Sequence, residues 1–166
     1  GSIAPSNLGG DENQRLGFVV QGALGTANDV DIYSFKGLAE TEVWFDIDRT
    51  TQSLDTVVEL VDEFGNIIAR SDNSADEAYG ADSLVGEGAL PMQKTAPYEG
   101  TDLYSVNPRD AGMRVKLTGT PGVESTYFVR VRSVPKNKAD LDTIVPASTN
   151  ESLVVAGASS GAYELQ

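Results

Sequence analysis

The feature that most constrains this chain is a two-residue alternation of apolar and polar side chains that recurs through its first half and again after residue 112. Val43, Phe45 and Ile47 alternate with Trp44, Asp46 and Asp48, the period of a strand with one face in a core and the other wet. Ile32, Ser34 and Lys36 alternate with Tyr33 and Phe35 in the same way. The run Thr56 to Val61 meets Asp62-Glu63-Phe64-Gly65-Asn66, and Ile67 to Ser71 returns. Gly65 and Asn66 accept the positive φ of a hairpin loop, so this pair reads as a β-hairpin. Arg15 to Gln21 reads as the first strand, with Leu16, Phe18 and Val20 on one face. Met113, Val115 and Leu117 alternate with Arg114 and Lys116, and Tyr127, Val129 and Val131 with Arg130 and Arg132. The inward set predicts one core between two sheets, built from Phe18, Phe35, Val43, Phe45, Ile47, Leu60, Val115, Tyr127, Val129 and Val131. The expected fold is all-β, a jelly-roll-like sandwich of about eight or nine strands.

A chain of 166 residues is long enough for one domain that needs no staple, and its 40% hydrophobic and 22% charged content is ordinary for such a domain. No apolar run approaches the length that spans a bilayer, so membrane insertion is not expected. Twelve basic against twenty-five acidic residues give a net charge of −13, a field that repels nucleic acid and anionic membrane surfaces. The absence of cysteine excludes disulfides, thiolate metal sites and a cysteine nucleophile.

Residues 1–14 read as an N-terminal arm and 15–166 as a single domain interrupted by two long loop insertions, 72–112 and 135–150. The first insertion carries Pro91, Pro97 and Pro108 and loses all period; loops of that length are usually functional or disordered. Its Tyr79, Tyr98 and Tyr104 argue that part of it packs down. Were the strands around Val115 and Val129 to pair, Arg114, Lys116, Arg130 and Arg132 would form a basic stripe, with Asp46, Asp48 or Glu59 as partners. Gly157-x-Ser159-x-Gly161 has the spacing of a hydrolase nucleophile elbow. The chain has no histidine to act as base, and the segment after the turn alternates like a strand, so the reading is not catalytic. The final Tyr163-Glu164-Leu165-Gln166 reads as a strand that stops midway, as in a domain that is part of a longer polypeptide.

Five stretches in order carry a resemblance: Asp29-Val30-Asp31-x-Tyr33-x-Phe35, Leu54-Asp55-Thr56-Val57-Val58-x-Leu60, Asp62-x-x-Gly65-Asn66-x-x-Ala69-x-Ser71-Asp72, Gly122 to Val131, and Gly161-x-Tyr163-x-Leu165. Together they resemble the bacterial pre-peptidase C-terminal domain, a β-sandwich module of secreted proteins. The resemblance implies a non-catalytic accessory module of a secreted or cell-surface bacterial protein, extracellular or in the cell envelope. It would help fold, anchor or target the neighbouring domains of its parent chain. It also implies calcium at the turn Asn28, Asp29 and Asp31, with Asp11, Glu12 and Asn13 of the arm contributing. Hard cations take carboxylate and carbonyl oxygens, so such a turn needs no cysteine or histidine. Asp72, Asn73, Asp76 and Glu77 form a second acidic cluster. The alternative is a domain that binds extracellular polysaccharide or protein, with Trp44, Tyr79, Tyr98 and Tyr104 as an aromatic platform near the 72–112 loop.

Overall fold

The alternating stretches build two antiparallel sheets that face each other across one apolar layer. The structure, a computed structural model, describes residues 6–7, 16–51, 53–72, 89–90, 109–137 and 157–166. One sheet holds β4 (Val30–Leu38), β10 (Glu124–Ser133), β6 (Thr56–Val61) and β7 (Ile67–Ser71), in that spatial order. The other holds β3 (Val20–Leu24), β11 (Gly161–Leu165), β5 (Glu42–Asp48), β9 (Gly112–Lys116) and β8 (Ala89–Leu90). A minimal pairing joins β1 (Ser6–Asn7) to β2 (Leu16–Gly17). The chain changes sheet from β3 to β4, to β5 and to β6, then from β7 to β8, from β9 to β10 and from β10 to β11, which is the wiring of a jelly-roll-like sandwich. No helix occurs among the described residues.

Between the sheets Leu24, Ile47, Leu54, Val58, Leu60, Met113, Val115, Leu117, Tyr127, Val129, Val131 and Leu165 are buried in one cluster. Phe35, Val43 and Phe45 pack against it half-buried. Nine of the ten expected core residues therefore sit in or against the core. Phe18 does not, because it lies with Val19 in the gap between strands β2 and β3, outside either ladder. The hairpin stands where expected: β6 and β7 pair antiparallel, Gly65 has φ 88°, and Asp62 caps the turn by accepting from the amides of Phe64 and Asn66 at 2.9 and 2.8 Å.

The first long strand differs from the reading of residues 15–21: it begins at Val20 and runs through Gly22 to Leu24. Gly22 lies opposite Tyr163 in the ladder, and the Tyr163 ring occupies the space a Cβ would need. A strand glycine here is a packing requirement. Gly22→Ala should lower stability by about 1–3 kcal/mol by overpacking. A denaturant midpoint unchanged in that variant would show that the ring moves aside freely.

β9 and β10 do not pair. They belong to opposite sheets, so the four-residue basic stripe does not form. The segment between them carries the chain across, with Gly119 and Gly122 at φ 141° and 77°, values that favour glycine. The Tyr127 hydroxyl donates to Thr118 O at 2.7 Å, and Ala39 N to Val123 O at 3.2 Å, which pins the crossing. The described piece of the first insertion, β8, adds to the edge of β9 opposite Arg114 and Val115.

Candidate functional site

The acidic turn before β4 is built by its own hydrogen bonds. Asp29 N donates to Thr26 O at 3.0 Å, Gly25 N to Asp29 Oδ2 at 2.8 Å, and Val30 N to Asp29 Oδ1 at 3.0 Å. Asn28 is exposed beside it. Asp31 follows at an inward position of β4, where its Oδ2 accepts the Tyr163 hydroxyl at 2.7 Å. Tyr163 has one proton and gives it to Asp31, so its 2.7 Å contact with Tyr33 is a bond that Tyr33 donates. Burial pushes the Tyr163 phenol far above its ordinary pKa, and the bond it donates to Asp31 adds to the shift. Tyr33 is raised too, first by burial and further by the Asp31 charge. Both phenols therefore stay neutral, and the chain Tyr33–Tyr163–Asp31 ties β4 to β11 across the two sheets. Tyr163→Phe should cost about 1–3 kcal/mol, because Asp31 then loses a donor in a half-buried setting. Loss of that margin in a urea melt would be matched by a smaller loss in Tyr33→Phe.

The three residues expected at a cation turn are thus neighbours in the chain but aim differently, Asp29 into its own loop and Asp31 inward. Each carboxylate oxygen named here accepts one hydrogen bond and keeps acceptor capacity for a hard cation. Asp11, Glu12 and Asn13 lie outside the described residues, as do Asn73, Asp76 and Glu77; Asp72 is buried at the end of β7. Among the described residues no group of three or more carboxylate, histidine or cysteine side chains converges to hold a metal.

Trp44 stands on the outer face of β5, half-buried. Its indole N–H donates to Glu42 Oε1 at 3.0 Å. Arg114, directly opposite on β9, places its guanidinium 5.8 Å from the ring centroid and bonds Glu42 through Nε and Nη2 at 2.5 and 2.6 Å. The Glu42 bond holds the guanidinium pKa above its ordinary value. One flat pair thus covers the indole. Tyr79, Tyr98 and Tyr104 lie outside the described residues, so the platform is described here at Trp44 alone.

Further along the same outer face Asp48 and Glu164 oppose each other on β5 and β11. Alternation predicts a mostly wet position for Asp46 and Asp48; Asp48 is instead 5% exposed and Asp46 half-buried. Gln166 Nε2 bridges Asp48 Oδ2 at 3.1 Å and Glu164 Oε1 at 3.3 Å, while Arg49 Nη1 reaches Glu164 Oε2 at 2.9 Å. Arg49 and Gln166 thus bond both Glu164 oxygens and Asp48 Oδ2 on the sheet itself, which offsets part of the cost of burying them.

The third cluster lies on the outer face of the other sheet. Glu59 of β6 has zero exposed surface and faces Arg130 of β10. Arg130 Nε bonds its Oε2 at 2.5 Å, and Arg132 Nη2 its Oε1 at 3.0 Å. Both arginines are also buried, where an exposed stripe was expected. Burial alone would raise the Glu59 carboxyl; Arg132 and Arg130 outweigh burial and hold it below the ordinary carboxylate range. The other two basic residues have separate partners, Arg114 with Glu42 and Lys116 with Glu40.

Ser159 of the elbow-like spacing is a fastening. Its hydroxyl accepts from Asp55 N at 3.0 Å and lies 2.8 Å from Ser133 Oγ, which in turn accepts from Ser159 N at 3.0 Å. Gly157 bridges to Pro135 beside it, and a Cβ there would meet Ala27 O at 2.5 Å. Of these groups, Glu59 was within reach of the sequence as a partner for the arginines. The tyrosine pair was not, although Gly22 and the inward position of Tyr163 are its signature in retrospect. No known family model, curated protein or solved structure matches this chain.

Proposed function

We propose that the chain is a non-catalytic accessory module of a secreted or cell-surface bacterial protein, one that helps fold, anchor or target the domains beside it, as its resemblance to the pre-peptidase C-terminal domain implies. The observation that carries the reading is where its buried and half-buried polar groups are used. Glu59 joins β6 to β10, Asp31 joins β4 to β11 through Tyr163, and Ser159 joins its loop to Ser133 and Asp55. Each bond holds strands or loops together, the economy of a scaffold. The test removes residues 15–166 from the parent polypeptide in its bacterial host. The expected result is several-fold less exported or surface-held protein, with the specific activity of the remainder unchanged. Unchanged export together with lost turnover would overturn the reading.

The module is also calcium-stabilised on this reading, through Asn28, Asp29 and Asp31 with the 11–13 arm. The prearranged Asp29 turn and the net charge of −13 favour a hard cation there. Extracellular sites bind at about 0.1–1 mM, so calcium at ten times the dissociation constant adds roughly 1.4 kcal/mol. For a domain of this size the melting temperature should rise by about 3–6 °C. Magnesium, which demands a tight octahedral shell, should do much less. An equal shift from both ions, or an undiminished calcium shift in Asp29→Asn plus Asp31→Asn, would reduce the effect to charge screening.

A second reading, binding of extracellular polysaccharide or protein through Trp44 with Tyr79, Tyr98 and Tyr104, draws support from the outer-face position of Trp44. A sugar ring stacking on that indole has first to displace the Arg114 guanidinium.

A further inference from the structure

Five large hydrophobic side chains are exposed among the described residues, and three of them lie towards one end of the sandwich: Leu38 closes β4, Phe64 stands in the 62–66 loop and Val123 immediately precedes β10. The ladders place them there. Leu38 pairs with Glu124, the residue after Val123, and Val61 pairs with Phe128, so the 62–66 loop projects beside the start of β10. With β10 between β4 and β6, Leu38 and the loop are about two strand spacings apart, roughly 10 Å. Tyr127 agrees with this placement: burial raises its pKa first, and the charges of Glu63 and Asp62 raise it further.

Hydrogen bonds close the backbone at all three places. Asp62 accepts from Phe64 N, Asn66 N and Asn66 Nδ2, and a further backbone bond links Asp62 N to Asn66 O at 2.9 Å. Val123 N donates to Thr120 O at 3.0 Å, and Glu40 N to Leu117 O at 2.8 Å. At the apex of the first turn Phe64 is 81% exposed. An exposed aromatic on a hydrogen-bonded loop backbone offers a large apolar area with only two side-chain torsions to order on docking, which is the property of an interface anchor. The rim has a definite charge. Glu124 is paired with Lys36 and Glu40 with Lys116, which leaves Asp62 and Glu63 as the acidic side of the patch.

We infer that this end, with Phe64 as its anchor and Leu38 and Val123 around it, is the surface by which the module docks a neighbouring domain of its parent polypeptide, at an apolar pocket bordered by lysine or arginine. Charge decides the occupant. A second copy brings another −13 and an equally acidic rim, and an anionic bilayer repels the same field. A basic protein surface is attracted by it. The inference rests on the accessory-module reading and adds the contact through which that role is exercised.

The test puts a photoreactive benzoyl-phenylalanine in place of Phe64 in the full parent polypeptide. The expected result is one intramolecular cross-link, to a peptide of a neighbouring domain that carries lysine or arginine, reduced at least tenfold by Leu38→Ser plus Val123→Ser and several-fold by Glu63→Lys. Phe64→Ser in the isolated chain should leave the melting temperature unchanged, so that loss of docking is not loss of fold. Cross-links to a second copy, to phosphatidylcholine vesicles added as a probe, or to no protein at all would overturn the docking surface. Such a failure, with export still dependent on residues 15–166, leaves the accessory reading intact; the reverse outcome separates them in the other direction.

Discussion

Glu59→Gln should lower the stability of the domain by about 3–5 kcal/mol, the range for breaking a buried ion pair by removing one partner. The cost arises because Arg130 and Arg132 remain in place, both almost fully buried, without the carboxylate that faces them. Attraction within the cluster need not be large for this to hold; the desolvation of two buried guanidiniums that have lost this carboxylate dominates. Replacing Glu59, Arg130 and Arg132 together by apolar residues of similar volume should therefore recover much of the loss. The pH dependence gives a second signature. The folded pKa of Glu59 lies below its unfolded value, so its contribution is fully present above about pH 4.3, the ordinary glutamate pKa, and is lost as pH falls through the depressed folded value. In the Glu59→Gln variant that part of the acid transition disappears. Urea midpoints from pH 7 down to pH 3 for both proteins decide the matter, and parallel curves would mean that Glu59 is not held by its neighbours.

Tyr127→Ala should cost about 3–5 kcal/mol, as for a large aromatic removed from a packed interior. Tyr127 is 1% exposed, stacks on Phe35 at 5.6 Å between ring centroids, and donates to Thr118 O. Its ring thus fills the core while its hydroxyl pins the crossing from β9 to β10. Tyr127→Phe separates the two roles and should cost about 1 kcal/mol, the hydrogen bond alone. Phe45, which packs against the cluster only half-buried, should lose less than Tyr127 when cut to alanine. If the two alanine variants melt together, burial is not what ranks these positions.

Alternation alone determined the strands β4, β5, β9 and β10 and which of their side chains face the core, since a period of two admits one inward set per strand; β6 and β7 were legible as two runs joined by a turn, and β6 is buried on both faces. The hairpin was equally local, because Gly65 and the Asp62 cap lie within five residues of each other. What no local pattern carries is which strand lies beside which. Arg114 and Arg130 have the same alternating context, yet β9 joins β5 and β10 joins β6, so one arginine meets Glu42 and a tryptophan at the surface while the other is sealed against Glu59. Asp48 reads as a wet residue until β11 brings Glu164 and Gln166 beside it. Asp31 reads as one of three residues in an acidic turn until Tyr163, 132 residues away, gives it a proton to accept. In each case the side chain's immediate sequence set only its face of the strand; burial, charge state and partner followed from sheet order, which depends on contacts between residues far apart in the chain.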